Sequence, residues 1–250
     1  MIQTTSNGRF IRAIRVLTAL GAVVGAAGVA TADPTPSENG FELVVPEAHA
    51  KLGTVYHALK GQDAQVTFTS DAPLEYIRGT SNAVIGYAVV GEGGELLAGE
   101  FMLPIESLDT GIPMRNKHLQ SKRWMEAETY PNVVFRIAET TDISESRSTD
   151  AFTTYSVTLV GDMTIKGKTR EISIPATITR MPESEQTKVR FPGDLLAIRC
   201  SYPIVLSEFG VGVDDPGIIA GKLSDDLTLE TRLFLSTTSP EEVIAKRRRR

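Results

Sequence analysis

Few side chains in this sequence are of the kinds that do chemistry, and most of those are badly placed for it. The chain has three histidines and one cysteine. His49 and His57 are eight residues apart, so a helix would bring them to roughly one side. No Cys or carboxylate stands near them at metal-ligand spacing, and two ligands do not make a site. Asp214-Asp215 and Asp225-Asp226 are two acidic pairs. A cation cage needs more oxygens at closer spacing, so both pairs read as solvated turn residues. Cys200 shares a face with Ile198 and Ile204 and reads as a buried structural thiol. There is no G-x-S-x-G, H-E-x-x-H, C-x-x-C or P-loop. Gly91-Glu92-Gly93-Gly94 is not a nucleotide fingerprint, because no helix pattern follows it. The sequence therefore offers no metal, no cofactor and no nucleophile–base pair.

One segment stands apart. Residues 115–131 read RNKHLQSKRWMEAETYP and hold the single Trp and the third His. Arg115 and His118 are i, i+3, and Arg115 and Leu119 are i, i+4, so a helical turn groups them. Pro113 suits the first turn, with Thr110 or Gly111 as the cap. Trp124 and Met125 add bulk near the helix end. Tyr130-Pro131 returns the chain to an extended form. Two readings remain open. The segment is a polar connection over one end of the fold with Trp124 as plug, or a lid whose Arg115 and His118 donate to a ligand's polar head.

The elements that would position this segment are strands. Val66 and Phe68 alternate. Asn82–Val90 and Glu95–Ile105 are rich in apolar residues and are split by the turn at 91–94. Asn132–Glu139 is a further strand. Val157, Leu159, Gly161, Met163 and Ile165 share one face. Ile172, Ile174, Ala176 and Ile178 share a face of the partner, with Lys166-Gly167 turning between them. Ile198, Cys200, Tyr202, Ile204 and Leu206 alternate, as do Leu227, Leu229, Thr231, Leu233 and Leu235. One-sided alternation over many strands predicts an all-β antiparallel sandwich or barrel. Small inward residues (Gly161, Ala176, Cys200, Thr231) favour a cavity, and hence a barrel.

The ends have other signals. Arg9, Arg12 and Arg15, the apolar run Val16–Val29 and Ala30-Thr31-Ala32 predict a cleaved signal peptide over 1–32, and so a periplasmic or secreted protein. Three of the 26 Lys and Arg and none of the 31 Asp and Glu lie in that segment, so the remainder carries a formal −8. Such a surface repels nucleic acid, and no nucleic-acid partner is expected. One Cys permits no internal disulfide, so a core must supply the stability. Residues 33–63 read as a flexible leader and N-terminal extension. Within it Phe41–Val45 could form a short strand. Pro46–Leu59 is ambiguous, because Ala48, Leu52, Val55 and Leu59 have helical spacing. Ser239-Pro240-Glu241-Glu242 predicts the start of a short helix. With the polybasic tail, it makes up residues 238–250. Lys246–Arg250 predict weak contact with an anionic membrane.

Three motifs resemble a known family. L-D-T-G-x-x-x-R-N-K-H-L-Q-S, an aromatic, and Y-P-x-V-x-F fit residues 108–135. G-D-M-T-I-K-G-K-T-R-E-I-S-I-P stands at 161–175, and P-I-V-L-S-E-F-G-V at 203–211. V-T-F-T-S-D-A-P-L-E-Y-I-R-G-T-S-N at 66–82 looks like the opening strand and turn. Together they resemble the YceI-like family of bacterial exported proteins over residues 64–237. The resemblance implies a lipocalin-like antiparallel barrel with a helical segment over one end. It implies an apolar cavity holding a polyisoprenoid or fatty acyl lipid, without catalysis. It would place Phe68, Phe101, Phe135, Leu159, Met163, Ile174, Tyr202 and Phe209 along the ligand, with Arg115, His118, Leu119 and Trp124 at its mouth. Asn116 departs from the family's Asp in R-D-x-H-L, and the family's early His-Ser motif has no clear counterpart. The competing readings are a structural or interaction barrel with a filled core, and a lipid-modifying enzyme using Arg115 and His118.

Overall fold

The computed structural model describes residues 34–243, apart from 39, 41, 61, 62, 190, 214 and 220. The expected signal peptide and the basic tail lie outside the described residues. In chain order a short helix α1 (Glu47–Ala50) leads into β1 (Thr54–Leu59), β2 (Val66–Asp71), β3 (Tyr76–Ser81), β4 (Ile85–Val90) and β5 (Leu96–Pro104). A second helix α2 (Pro113–Gln120) precedes β6 (Asn132–Ser148), β7 (Thr153–Ile165), β8 (Lys168–Met181) and β9 (Leu195–Val205). A one-turn helix α3 (Pro216–Ile219) comes before β10 (Asp226–Ser236).

Every named strand pair is antiparallel, and the sheet closes through β10. One edge of β10 pairs with β9 along its whole length. The other edge takes β2 at residues 227–231 and β1 at residues 234–236. So β1 and β2 form one interrupted stave of the barrel. β3 and β4 form the next, because β2 pairs with β3 and β1 with β4. The result is a closed antiparallel eight-stranded barrel, as the lipocalin-like expectation had it. The expected strand over 82–90 is shorter, Ile85–Val90, and the first barrel strand begins at Thr54. The helix-like spacing of Ala48, Leu52, Val55 and Leu59 was misleading. Only Glu47–Ala50 is helical, while β1 alternates, with Tyr56 and Ala58 buried between the more exposed Val55 and His57.

Gln65 occupies the break in both staves and is 3% exposed. Its amide nitrogen donates to the carbonyls of Leu59 and Val84, both at 3.2 Å. Its amide oxygen accepts from Val84 N–H at 2.8 Å. Its backbone N–H bonds to Ser81 and its carbonyl accepts from Arg232 N–H. The amide thus replaces the ladder bonds that the interruption removes, and buried backbone groups stay paired.

The N-terminal extension is not a free leader. Pro36 and Leu43 form a bridge, and Leu43 is 1% exposed. It packs on the outer face of β4, β5 and β6 against Tyr87, Val89, Ala98, Met102 and Val134. This explains why β4 reads as a near-continuous apolar run: both of its faces are covered. At the other end, Ser239 caps the last described helical turn, with Glu242 N–H on its hydroxyl at 3.3 Å.

The β7–β8 hairpin turns at Lys166-Gly167 as expected, with φ of +48° and +71°. Positive φ at both positions is the type I′ geometry that suits twisted strands. Pairing of β8 with β9 stops at Ala176↔Cys200. Pro175, the next residue down β8, has no N–H to continue that ladder.

Gln65→Leu should lower stability by about 2–4 kcal/mol, because it strands one buried N–H and weakens two buried carbonyls. Urea unfolding checks this. A change within about 0.5 kcal/mol would mean that the break does not depend on the amide.

Candidate functional site

The barrel interior is unevenly filled. At the end where β1 meets β4, Tyr56, Leu96, Ile178, Leu196 and Leu235 are all buried to 2% exposure or less. The opposite end holds a cavity of about 360 Å³. Its wall is apolar, with Val66, Phe68, Ile77, Leu103, Val133 and Ile204 contributing. A second space of about 100 Å³ lies deeper and shares Val66, Leu103, Val133 and Leu229 with the first. The larger volume falls at the lower end of the range for small-molecule sites.

Three segments frame the mouth. The first is α2 with the turn after it. Pro113 stands at N1, but Ile112, not Thr110 or Gly111, is the N-cap, and no side chain caps the helix. Thr110 is engaged elsewhere. Its N–H and hydroxyl both donate to Asn116 Oδ1, at 2.9 and 2.7 Å. Asn116 Nδ2 in turn donates to Asp109 Oδ1 at 2.8 Å. That bond and Gly111 N–H hold the Asp109 carboxyl below its usual pKa. Asn116 therefore fastens the loop to the helix rather than orienting Arg115 or His118. An Asp at 116 could not donate to Asp109, so the departure from the family pattern has a local reason.

Arg115 and Leu119 are the half-buried residues that α2 turns toward the cavity, and both line it. Arg115 is ion-paired with Glu75, on the turn between β2 and β3 that forms the second segment of the rim. His118 lines the cavity edge but is otherwise exposed.

The third segment lies within residues 211–225, which the sequence marked only by acidic pairs read as solvated turns; Asp215 is instead largely buried. It brings Val211, Asp215, Gly217, Lys222 and Leu223 to the cavity. Trp124 spans the gap between the first and third segments. A Cβ on Gly212 would sit 2.8 Å from the Trp124 ring, so glycine lets the indole lie against the backbone there. The carbonyls just before Trp124 are held from below: Lys166 Nζ donates to Lys122 and Arg123 at 3.0 and 3.3 Å. The missed loop follows the family-like P-I-V-L-S-E-F-G-V directly, and that adjacency was the available signal.

The remaining expected site residues divide by depth. Phe101, Phe135, Leu159, Met163, Ile174 and Tyr202 line the deeper space. Phe209 lines neither space. It sits in a 3₁₀ turn at 1% exposure and packs into the core, so its expected place along the ligand is corrected. Gly161 does not leave room for a ligand either. A Cβ there would lie 2.1 Å from the Arg136 carbonyl and 3.0 Å from the Phe135 ring, so close strand approach and Phe135 use its space.

Cys200, Tyr202 and Thr231 put three polar atoms beside the deep space. Burial pushes the Cys200 thiol up to about 11, against a smaller lowering by Thr231. Burial also raises the Tyr202 phenol. Both stay neutral at physiological pH, and neither is poised as a nucleophile.

The two early histidines lie outside the barrel and apart. His49 Nδ1 is 2.7 Å from Tyr87 Oη. His57 Nδ1 is 3.4 Å from Glu42 Oε2, an ion pair only if the ring is protonated. Burial lowers the His57 pKa despite Glu242, and burial with Glu241 and Glu242 raises that of Glu42. Among the described residues no three His, Cys, Asp or Glu gather as a metal site.

Native protein should resist alkylation at Cys200. With a pKa of about 11, about one thiol in a thousand is ionised at pH 8. Iodoacetamide labelling followed by mass spectrometry should show at least about a hundredfold faster reaction after unfolding. Equal rates would show an accessible, activated thiol.

Comparison with known proteins agrees with this architecture. Residues 32–235 match the family model of the YceI-like domain. Among solved structures, BcnA of Burkholderia cenocepacia superposes with a TM-score of 0.51 at 20% identity, covering 74% of this chain and 97% of that one. A polyisoprenoid-binding domain from Saccharophagus degradans gives 0.51 at 13% identity, covering 73% and 98%. A YceI protein of Campylobacter jejuni gives 0.50 at 17%, covering 66% and 86%. Compared with curated protein sequences, the chain finds no significant match. The family model spans most of the described barrel, and the chain belongs to the YceI-like family.

Proposed function

We propose that this chain is an exported carrier that holds one apolar lipid chain in the open end of its barrel and does no chemistry on it. The observation that carries the reading is the apolar cavity of about 360 Å³ under α2 and Trp124, with charged groups confined to its rim. The described polyisoprenoid binding of the Saccharophagus domain, which shares the fold, supports an isoprenoid or acyl chain as the ligand class. Export rests on the arginine-flanked apolar run and the small-x-small motif at 30–32. Energetics are adequate: burying about ten methylene groups is worth roughly 8 kcal/mol before ordering costs.

The rim chemistry favours a polar head left at the surface. Arg115 is offset by Glu75, and Arg123 lies 3.8 Å from Asp215. Lys222 and His118 have no side-chain partner among the described residues. Among the residues that line the cavity, Arg115 and Lys222 match Glu75 and Asp215 in formal charge, so the rim is neutral on balance and Lys222 is open to a ligand's head. Non-catalysis is supported by the chemistry of the wall: the deep polar atoms belong to a neutral thiol, a neutral phenol and a hydroxyl.

Protein purified from its native host and analysed by native mass spectrometry should carry one lipid per chain. A chain that carries none, and takes up none when offered, would contradict the proposal. Met163→Trp should reduce retained lipid severalfold by filling the deeper space. A folded variant with unchanged lipid content would remove Met163 from the site.

Replacing Arg115, His118 and Lys222 together with Ala should weaken binding of an anionic-headed lipid by about tenfold or more, while a neutral-headed one of equal length changes little. Equal effects on both would make these residues structural.

A further inference from the structure

The cavity does not run through the barrel. It ends at a layer formed by Ile178, Ile198 and Leu233, none more than 4% exposed. The layer is continuous across three strands, since Ile178 pairs with Ile198 and Ile198 with Leu233. Behind it lie Leu196 and Leu235, each fully buried. Before it lie two adjoining spaces of about 360 and 100 Å³, which share Val66, Leu103, Val133 and Leu229 in their walls.

A cavity of this kind has both features of a gauge. Arg115 and Lys222 at the rim can meet the polar end of a ligand, and the packed layer limits how far the tail can go. At about 30 Å³ per non-hydrogen atom of liquid density, the outer space holds about twelve carbons and the inner about three. We propose that the site selects its ligand by length, taking a single apolar chain of about fifteen carbons with the Ile178–Ile198–Leu233 layer as its stop. The inference rests on the lipid-carrier reading and narrows it. A longer chain must either leave methylenes in water or force a layer that has no free volume, and close-packed interiors resist such insertion.

The test is a binding titration of the full chain, stripped of lipid, with unbranched fatty acids of increasing length. Affinity should rise about fourfold per added methylene, the fold-change of roughly 0.8 kcal/mol. It should level off or fall beyond about fifteen carbons. Farnesol should bind at least about tenfold more tightly than geranylgeraniol, whose fourth isoprene unit exceeds the space. An affinity that keeps climbing at the same rate through about twenty carbons would overturn the gauge and leave the carrier reading standing. Failure of every chain to bind would overturn both.

Two variants locate the stop. Leu233→Ala deepens the site, and its optimum should move about three carbons longer. Val133→Phe narrows the shared boundary of the two spaces without touching the stop, and its optimum should move about three carbons shorter. The second variant keeps the test valid if the first does not fold. Optima that stay at the native length in a folded variant would overturn the assignment.

Discussion

The barrel depends on keeping two interrupted staves in line with one continuous strand. β10 carries β9 on one edge and both β1 and β2 on the other, so any slip of the first stave would open the wall. Side-chain period two makes such a slip costly, because one residue of shift turns every inward side chain outward. The buried amide of Gln65 sits where the ladder fails and bonds three backbone groups of the flanking strands at once. Above that level the interior is packed solid. Below it the wall diverges, β8 parts from β9 at Pro175, and the cavity begins.

This division explains how one fold can be both stable and receptive. Residues such as Ile178, Leu196 and Leu235 supply close-packed burial at one end. The other end is left partly empty, and its cover is made from polar connections rather than core. Trp124 reaches across to Gly212, Arg115 to Glu75, and Lys166 to the carbonyls before Trp124. These are few contacts, all of them made by α2 and the turn after it. A lid assembled this way can part at lower cost than the core beneath it, which is the general pattern for ligand-admitting regions.

Much of this was legible in the residues. Alternation in β7, β8, β9 and β10 reported one buried face each, and the Lys166-Gly167 turn followed from local chemistry. Pro113 correctly marked the start of α2. Alternation failed where burial was two-sided: β4 reads as an apolar run because Leu43 and its neighbours cover its outer face. It also failed at 46–59, where helical spacing and strand alternation coincide over a short stretch. At the site, the family-like motif pointed to Arg115, His118 and Leu119, all of which line the mouth. The loop at 211–225 was opaque, since Lys222 acquires its position only from tertiary packing. Phe209 shows the converse. An aromatic inside a family-like motif need not face the ligand; here it is buried in the core beside the cavity.

The central claim is that an apolar chain enters the barrel beneath Trp124, the single indole in the sequence. Fluorescence quenching by brominated fatty acids tests it directly. The account predicts saturable quenching at one lipid per protein, stronger when the bromines lie near the carboxylate than when they lie near the chain's end. Absence of quenching by a bound brominated lipid, or stronger quenching from the tail-end label, would contradict it.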